Sequence, residues 1–266
     1  ALAPDFEIPS VWRASFGADV QFDMFGSEDW QFTFDILYDT QDAATFFSDA
    51  NCPLLGASAV DGRPIYDCET ARQDIVMSNV DEGNAIITTF QLSKDWDNGF
   101  SLWMAYANQD VTDAHSGTSS TQTSNYSDYA TFDRQNPNNA TSNYEIEHDW
   151  KLRASWRHAF FEDYETRVEL FMNSRSGRHF SYTYGYSNGL GNQYRNQSAF
   201  GIHESAADDE GTLFYVPETD ASGNVTLTSD PNVTYTAGFD IAGLNSYLHS
   251  TGLIGYAGEI APRNEF

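Results

Sequence analysis

The sequence contains little positive charge and no long apolar run. Lysine occurs only at Lys94 and Lys151, and 39 acidic residues against 13 lysines and arginines give a formal net charge of −26. A field of this sign repels nucleic acid, so we expect no nucleic-acid partner. The chain has no stretch of about 18 apolar residues, which excludes a transmembrane helix. The first residues, ALAPDFE, lack the basic and apolar regions of a secretion signal, so we expect a mature chain or a piece of a longer protein.

Cysteine is scarce. Cys52 and Cys68 are the only two, and they lie close together within a polar stretch. We interpret them as a local disulfide formed in an oxidising compartment, with two free thiols as the alternative. Closing a loop of this size stabilises a fold by about 3 kcal/mol in the chain-entropy account.

The dominant pattern is strict alternation of apolar and polar residues. The stretch VWRASFGADVQFDM shows it almost without error, and successive residues of a strand point to opposite faces. No helical periodicity of comparable length occurs, so the sequence predicts an all-β chain of six or seven long strands. The predicted strands are residues 11–24, 30–41, 84–94, 99–109, 147–159 and 165–186.

Short and long connections alternate along the chain. Tight turns join strands within pairs, whereas three long segments follow the pairs, at residues 42–83, 110–146 and 187–266. Outer-membrane β-barrels have this arrangement, with short periplasmic turns and long extracellular loops. The predicted strands are long enough to cross a bilayer, because 9 to 11 residues tilted by about 45° span its hydrocarbon.

The two faces of the predicted strands differ in chemistry. We expect the apolar face to contact outer-membrane lipid and the polar face to line a lumen. The predicted lipid-facing residues are Trp12, Phe16, Val20, Phe34, Ile36, Phe90, Leu102, Leu152, Val168 and Leu170. The predicted lumen-facing residues are Arg13, Asp19, Asp35, Arg153, Arg157, Arg167 and Glu169. Cross-strand pairing with lumen carboxylates such as Asp19, Asp35 and Glu169 is the expected role of the arginines, and contact with a plug domain or an anionic ligand is the alternative.

Six or seven strands would leave two open edges, which hydrocarbon does not tolerate. The sequence therefore predicts an antiparallel transmembrane β-barrel segment that belongs to a larger barrel.

Five collinear motifs carry a family resemblance: PDFEIPSVWRASFG, DGRPIY, RSGRHFSYTYG, LFYVP and GEIAPRN. In this order they resemble the C-terminal barrel portion of Oar-like TonB-dependent receptors of Gram-negative outer membranes. The motif residues are Arg175, Ser176, Gly177, Arg178, Phe180, Tyr182, Tyr215, Val216, Pro217, Pro262, Arg263 and Asn264. The chain departs from the family at His179, where a proline is usual.

The resemblance implies a 22-stranded barrel in the outer membrane, with a plug domain and final strands that lie outside these 266 residues. It also implies partners: the protein's own plug domain, the TonB-ExbB-ExbD complex reached through the absent amino terminus, and an unidentified extracellular ligand. The implied function is energised transport, with no catalytic residue and no cofactor.

Two other functions stay open at this stage. A passive outer-membrane adhesin or surface receptor would have the same strands without a plug domain. A soluble extracellular calcium-binding β-protein could use the acidic segment HESAADDE at residues 203–210. Its spacing matches neither an EF-hand loop nor a zinc helix, and a solvated loop is the plainer interpretation.

Overall fold

The computed structural model describes residues 1–66, 74–115, 117, 119–127, 130–136, 138–161, 164–183 and 213–266. Most of the regular structure in these residues is antiparallel β-sheet. The strands are β1 (Ser10–Met24), β2 (Ser27–Asp42), β3 (Ala44–Asp49), β4 (Leu54–Ala57), β5 (Pro64–Tyr66), β6 (Ile75–Val80), β7 (Asn84–Asp95), β8 (Phe100–Asp113), β9 (Ala140–Thr141), β10 (His148–Phe161) and β11 (Tyr164–Arg175). The helices are α1 (Gln122–Ser127), α2 (Ile241–Thr251) and a 3₁₀ helix (Leu253–Tyr256).

The long strands form one sheet in the order β1-β2-β7-β8-β10-β11, and the short β9 pairs with the end of β8. All of these pairings are antiparallel. Because β1–β2, β7–β8 and β10–β11 are hairpins, their turns lie at one end of the sheet, here called the turn end. The longer connections leave from the opposite end, here called the loop end.

The turns are shaped by residues with positive φ. Phe25 and Gly26 have φ values of 56° and 70°, as a two-residue hairpin turn requires. Gly99, with φ of 84°, closes the turn between β7 and β8 and also contacts the next hairpin. A Cβ atom on Gly99 would lie 2.0 Å from the Arg157 carbonyl oxygen, so only glycine fits there.

The first five predicted strands are confirmed with small shifts of their ends. The sixth prediction, residues 165–186, is wrong at its end because β11 stops at Arg175. The chain then leaves the sheet. The Ser176 amide donates a hydrogen bond to the His148 carbonyl, and the Phe180 amide donates one to the carbonyl of Phe266. Residues 184–186 lie outside the described part of the chain.

The segments predicted as loops contain structure of their own. β3 pairs with β6, and β4 pairs with β5, within predicted loop 42–83. The described chain is mostly antiparallel β-sheet, as expected for an all-β chain, and two helices, α1 and α2, lie within predicted loops 110–146 and 187–266. Helix α2 is capped at its start by Asp240, whose side chain accepts from the Gly243 amide, and at its end by Gly252 in the left-handed conformation.

The buried apolar clusters lie at the loop end and not on the long-stranded sheet. One cluster consists of Val216, Val225, Leu248, Leu253 and Ala261, and the other of Phe47, Ile75 and Tyr126. By contrast, strands β1 and β11 contain no buried residue at all. Among the described residues, no second layer covers either face of the sheet, whereas a soluble domain normally buries one face against another layer.

Candidate functional site

The strand register sorts the sheet into two faces of opposite chemistry. Across the first two pairs, Ala18 opposes Phe34 and Phe34 opposes Phe90. The row continues through Tyr106 to Trp150. All ten residues predicted to face lipid fall on this apolar face, and all seven predicted to face a lumen fall on the other. Contact with lipid itself stays a prediction.

None of the ten apolar residues is buried. Trp12 is 73% exposed and Leu170 is 62% exposed, and Phe16, Val20, Phe90 and Val168 are also exposed. Phe34, Ile36, Leu102 and Leu152, on the inner strands, are half-buried by their neighbours in the sheet. A contiguous apolar surface of this extent on a protein marks a site that contacts another apolar phase or a partner.

The height of the apolar face fits a bilayer. Ten residue steps separate Trp12 from Phe22 on β1, and at about 3.3 Å per step they extend about 33 Å along the strand. With a strand tilt of about 45°, the apolar band would be about 23 Å high, close to the band of about 25 Å on outer-membrane barrels.

Aromatic rings form a chain along the turn end of the apolar face. The Trp30 ring packs edge-on against Phe25 and Trp96, with centroid distances of 6.5 and 5.6 Å, and Trp96 packs against Phe100 at 6.2 Å. The Trp30 indole nitrogen donates to the Met24 carbonyl at 3.2 Å. Amphipathic rings at this level are typical of a membrane interface.

The apolar face carries one cation near the same level. Lys94 pairs with Leu102 on the apolar side, yet its ammonium group bends to the turn and donates to the Glu28 carbonyl oxygen. The alkyl stem thus covers apolar surface while the charge reaches a polar partner, which is the usual behaviour of lysine at such a boundary.

The polar face is held by ion pairs and hydrogen bonds between neighbouring strands. The Arg13 guanidinium binds both carboxylate oxygens of Asp39 at 2.7 Å. Asp19 accepts from the Thr33 hydroxyl at 2.6 Å, and Asp35 packs against Gly17, where a Cβ atom would lie only 2.4 Å from its Oδ1. Asp35 also accepts from the Thr89 hydroxyl of β7 at 3.5 Å, so Asp19 and Asp35 contact residues of β1, β2 and β7 rather than the arginines of β10 and β11.

Two arginines share one carboxylate near the turn end, and a third lies beside them. Glu169 lies 2.9 Å from the Arg153 Nε and 2.7 Å from an Arg167 Nη. Arg157 stands directly opposite Arg167 in the register. These residues, together with Trp103 and Phe171, line a cavity of ≈ 590 Å³ on the polar face. Like charges placed opposite each other are unfavourable, and the lining keeps an excess of one positive charge because its three arginines face two carboxylates, Glu169 and Asp95.

At the loop end, the residues of the five motifs pack against one another. Arg63 of DGRPIY is 2% exposed, and its guanidinium binds Asp61 at 2.6 Å and the carbonyl of Leu213, in the LFYVP motif, at 2.9 Å. The Ala261 amide donates to the Phe214 carbonyl at 2.8 Å, which joins LFYVP to GEIAPRN.

The GEIAPRN motif also reaches the end of the long-stranded sheet. Arg263 binds the Asp113 carboxylate at 2.6 Å and the Ala114 carbonyl at 3.0 Å. Asn264 donates to the Thr141 carbonyl and accepts from the Ser181 hydroxyl. These contacts fix the carboxy-terminal segment onto β8 and β9.

A hydrogen-bonded carboxylate organises the LFYVP segment. The Tyr215 hydroxyl donates to Asp230 at 2.8 Å, and the backbone amides of Glu218 and Asn232 also donate to this carboxylate. Burial alone would raise the pKa of Asp230, but the hydrogen bonds outweigh it and the pKa is lowered. For Tyr215, burial and the hydrogen bond to Asp230 raise the pKa of the phenol.

The remaining motif residues lie around this network. Arg175 ends β11 opposite Asp149, and the Ser176 hydroxyl accepts from the His148 amide at 3.0 Å. Gly177 and Arg178 are exposed, and the rings of Phe180 and Tyr182 pack tilted and edge-on against Phe266. Val216 is buried with Pro217 beside it, and Pro262 is half-buried next to Arg263.

His115 is a loop-end residue that the sequence did not single out. Its Nδ1 accepts from the Gly117 amide at 3.0 Å, and its Nε2 lies 2.5 Å from the Asn125 carbonyl oxygen. These partners fit the neutral ring with the proton on Nε2. Burial lowers the pKa of His115, against the opposing effect of the Asn125 carbonyl.

The sequence predicts a disulfide between Cys52 and Cys68 and leaves a calcium-binding segment at residues 203–210 as an alternative. Cys52 is disulfide-bonded and buried near the Tyr126 hydroxyl. Cys68 and the acidic segment 203–210 lie outside the described residues.

Within the described ranges, no group of three or more His, Cys, Asp or Glu side chains could hold a metal ion. No helix among the described residues has the length and apolarity needed to cross a membrane.

No protein-family model, no curated protein and no solved structure matches this chain.

Proposed function

We propose that this chain is one wall of a large transmembrane β-barrel, of the TonB-dependent receptor class, in a Gram-negative outer membrane. The whole protein would bind an extracellular ligand at the loop end and pass it inward with energy from the TonB-ExbB-ExbD complex. The observation that carries the proposal is the register of the long-stranded sheet, which separates an exposed apolar face from a charged face.

The position of the buried clusters supports this interpretation. Both clusters lie at the loop end, and away from the turn residues that pack around Trp30 no part of the described chain covers the apolar face of the sheet. An apolar band about 23 Å high, with aromatic residues at its turn end, fits contact with lipid.

The two outer strands support a larger assembly. The outer edges of β1 and β11 have no strand partner among the described residues. Open edges within hydrocarbon leave backbone N–H and C=O groups unsatisfied, so further strands must cover both. A barrel of 22 strands, with a plug domain inside, belongs to this proposal through the family resemblance.

The first experiment tests lipid contact with tryptophans on opposite faces. Trp150 lies on the apolar face of β10, and Trp103 lies on the polar face of the adjacent β8. Two variants of the full-length protein, one with Trp150 and one with Trp103 as the sole tryptophan, are reconstituted into vesicles containing brominated phospholipid. We expect strong fluorescence quenching of Trp150 and little quenching of Trp103.

Equal quenching of the two tryptophans would overturn the proposal, as would recovery of the intact protein in the soluble fraction without detergent. The intact mass adds an independent readout, because a plugged receptor must be much larger than 29.8 kDa.

A second experiment separates an energised receptor from a passive surface protein. The full-length protein is incubated with the purified periplasmic domain of TonB and cross-linked. A specific cross-link to the amino-terminal region supports energised transport. Its absence, together with Trp150 quenching, would leave a passive adhesin or surface receptor.

A further inference from the structure

The cavity of ≈ 590 Å³ on the polar face has a floor of small side chains. In the register, Asp95 opposes Ser101, and Ser101 opposes Ser155. The two serine hydroxyls share a hydrogen bond of 2.5 Å, and Glu169 continues the row on β11. Because the two serines are short, the longer side chains around them leave a space above the sheet. Its volume is in the range of small-molecule sites, about 300–1,000 Å³.

Two rows of longer side chains border this floor. Residues two positions apart on a strand share a face, so each neighbouring row also projects from the polar face. The row towards the loop end consists of Trp103, Arg153 and Phe171, and the row towards the turn end contains Arg157 opposite Arg167. All five residues line the cavity, which therefore has a guanidinium group on each side of its floor along β10.

One of the three arginines has no acidic partner. Arg153 and Arg167 both bind Glu169. Arg157 stands opposite Arg167, is exposed, and makes no ion pair within the described residues. Like charges directly opposite each other on a sheet are destabilising, so an anion held between Arg157 and Arg167 would relieve this repulsion. Because Arg157 is exposed, a solute can reach it.

The second carboxylate of the lining lies across the floor from the arginines. Asp95 belongs to β7, which is two strands from β10, so about 10 Å separates the two backbones. Charges farther apart than about 8 Å are largely screened at physiological salt. The same screening limits the long-range effect of the net charge of −26. The side of the cavity formed by β10 and β11 therefore has a local excess of positive charge.

An exposed aromatic ring accompanies these charges. Phe171 is 59% exposed although it lies on the polar face, and Trp103 is half-buried on the other side of Arg153. Rings beside guanidinium groups offer a flat apolar contact surface together with a cation. A ligand that uses both features has an aromatic ring and an anionic group.

We propose that this cavity binds a small aromatic carboxylate, with its anionic group at Arg157 and Arg167 and its ring towards Phe171. Arg167 and Phe171 are four residues apart on β11, or about 13 Å along the strand. The long arginine side chain and a two-ring ligand together span this distance. That the cavity faces the lumen of a barrel rests on the proposed function, whereas binding itself does not.

Three probes test the ligand class on the full-length protein in an uncharged detergent. 2-Naphthoate has two rings and a carboxylate, 2-naphthamide has the same rings without charge, and acetate has the carboxylate without a ring. Saturation-transfer NMR measures each dissociation constant. We expect 2-naphthoate to bind about 10-fold more tightly than 2-naphthamide, as a charge-assisted hydrogen bond allows, and acetate to bind more weakly than 2-naphthoate. Added salt should weaken the binding of 2-naphthoate but not that of 2-naphthamide.

Variants with matched charge locate the site. Arg157→Gln should remove the preference for 2-naphthoate over 2-naphthamide. Arg13→Gln is the control, because it removes the same charge from the polar face at an exposed position outside the cavity lining. Phe171→Ala should weaken both naphthalene probes and leave the preference for the anion in place. Detergent micelles bind the probes equally in all these variants, so differences between variants report on the protein.

Failure of 2-naphthoate to bind, or equal binding of 2-naphthoate and 2-naphthamide to the unaltered protein, would overturn the proposal. So would an equal loss of the preference in Arg157→Gln and Arg13→Gln. The outcome is independent of the tryptophan-quenching test. Selective binding of 2-naphthoate without Trp150 quenching would keep the anion site and remove the membrane wall, and the reverse result would do the opposite.

Discussion

Arg263 Nη2 lies 2.6 Å from Asp113 Oδ1, and both side chains are almost completely buried. The pair joins residues 150 positions apart, since Asp113 ends β8 and Arg263 belongs to the carboxy-terminal segment. The same nitrogen also contacts the Asp113 carbonyl, so one arginine closes the carboxy-terminal segment onto the sheet.

Removing the Arg263 side chain should be strongly destabilising. Arg263→Met leaves the Asp113 carboxylate buried and without its cation, which costs about 3–5 kcal/mol for pairs of this kind. Chemical unfolding of the full-length protein, followed by tryptophan fluorescence, measures the loss. The matched variant Arg13→Met breaks the ion pair between Arg13 and Asp39. Because the Arg13 side chain is 61% exposed, this change should lower the free energy of unfolding far less. Equal losses would show that Arg263 does not fasten the loop end.

A charge on the apolar face should be costly if that face contacts hydrocarbon. Phe34→Arg places a guanidinium near the middle of the apolar band and should lower the free energy of unfolding by about 2–4 kcal/mol. Thr33→Arg is the matched control, because Thr33 is the preceding residue on β2 and lies on the polar face beside Asp19. Folding into lipid vesicles measures both variants. A loss for Phe34→Arg no larger than for Thr33→Arg would argue against lipid contact at this position.

The parts of the fold that the sequence predicts are those governed by local alternation. Five long strands and their two faces follow from period-2 patterning, because the register of antiparallel hairpins keeps each apolar set on one side. The error at β11 has the same origin. Phe180 and Tyr182 alternate like strand residues, but their rings pack on Phe266 rather than on a neighbouring strand of the sheet.

The parts that escaped prediction depend on contacts distant in sequence or on short signals. Helix α2 is eleven residues long, and its clearest marks, Asp240 before it and Gly252 after it, are single residues. The bond from Arg63 to the Leu213 carbonyl joins positions 150 apart, and no periodicity connects them. The motifs identified these residues, but only the structure shows that they pack together.

Stability should fall as the pH drops below about 6.5, through His115. Because burial lowers the pKa of the folded ring below its unfolded value of 6.5, the unfolded chain binds a proton first as the pH falls. The free energy of unfolding therefore decreases from about pH 6.5 down to the folded pKa and levels off below it. Protonation would also place a proton on Nδ1, facing the Gly117 amide. Unfolding at a series of pH values measures the slope.

The variant His115→Gln should reduce the slope of stability against pH just below 6.5. His249→Gln is the matched control, since it removes an exposed histidine of α2 and leaves His115 in place. A slope that survives in His115→Gln would assign the pH dependence to other groups.

Alanine variants of two glycines at the turn end distinguish the cost of backbone strain from the cost of a steric clash. Gly26 and Gly99 both have positive φ, so alanine at either position is strained by about 1–2 kcal/mol. At Gly26 a Cβ atom meets nothing within 4 Å, whereas at Gly99 it would lie 2.0 Å from the Arg157 carbonyl oxygen. Because the Arg157 amide also donates to the Gly99 carbonyl at 2.9 Å, the two hairpins cannot move apart without losing this bond. Gly99→Ala should therefore be clearly more destabilising than Gly26→Ala in parallel unfolding measurements, and equal losses would mean that the β7–β8 and β10–β11 hairpins do not meet at this point.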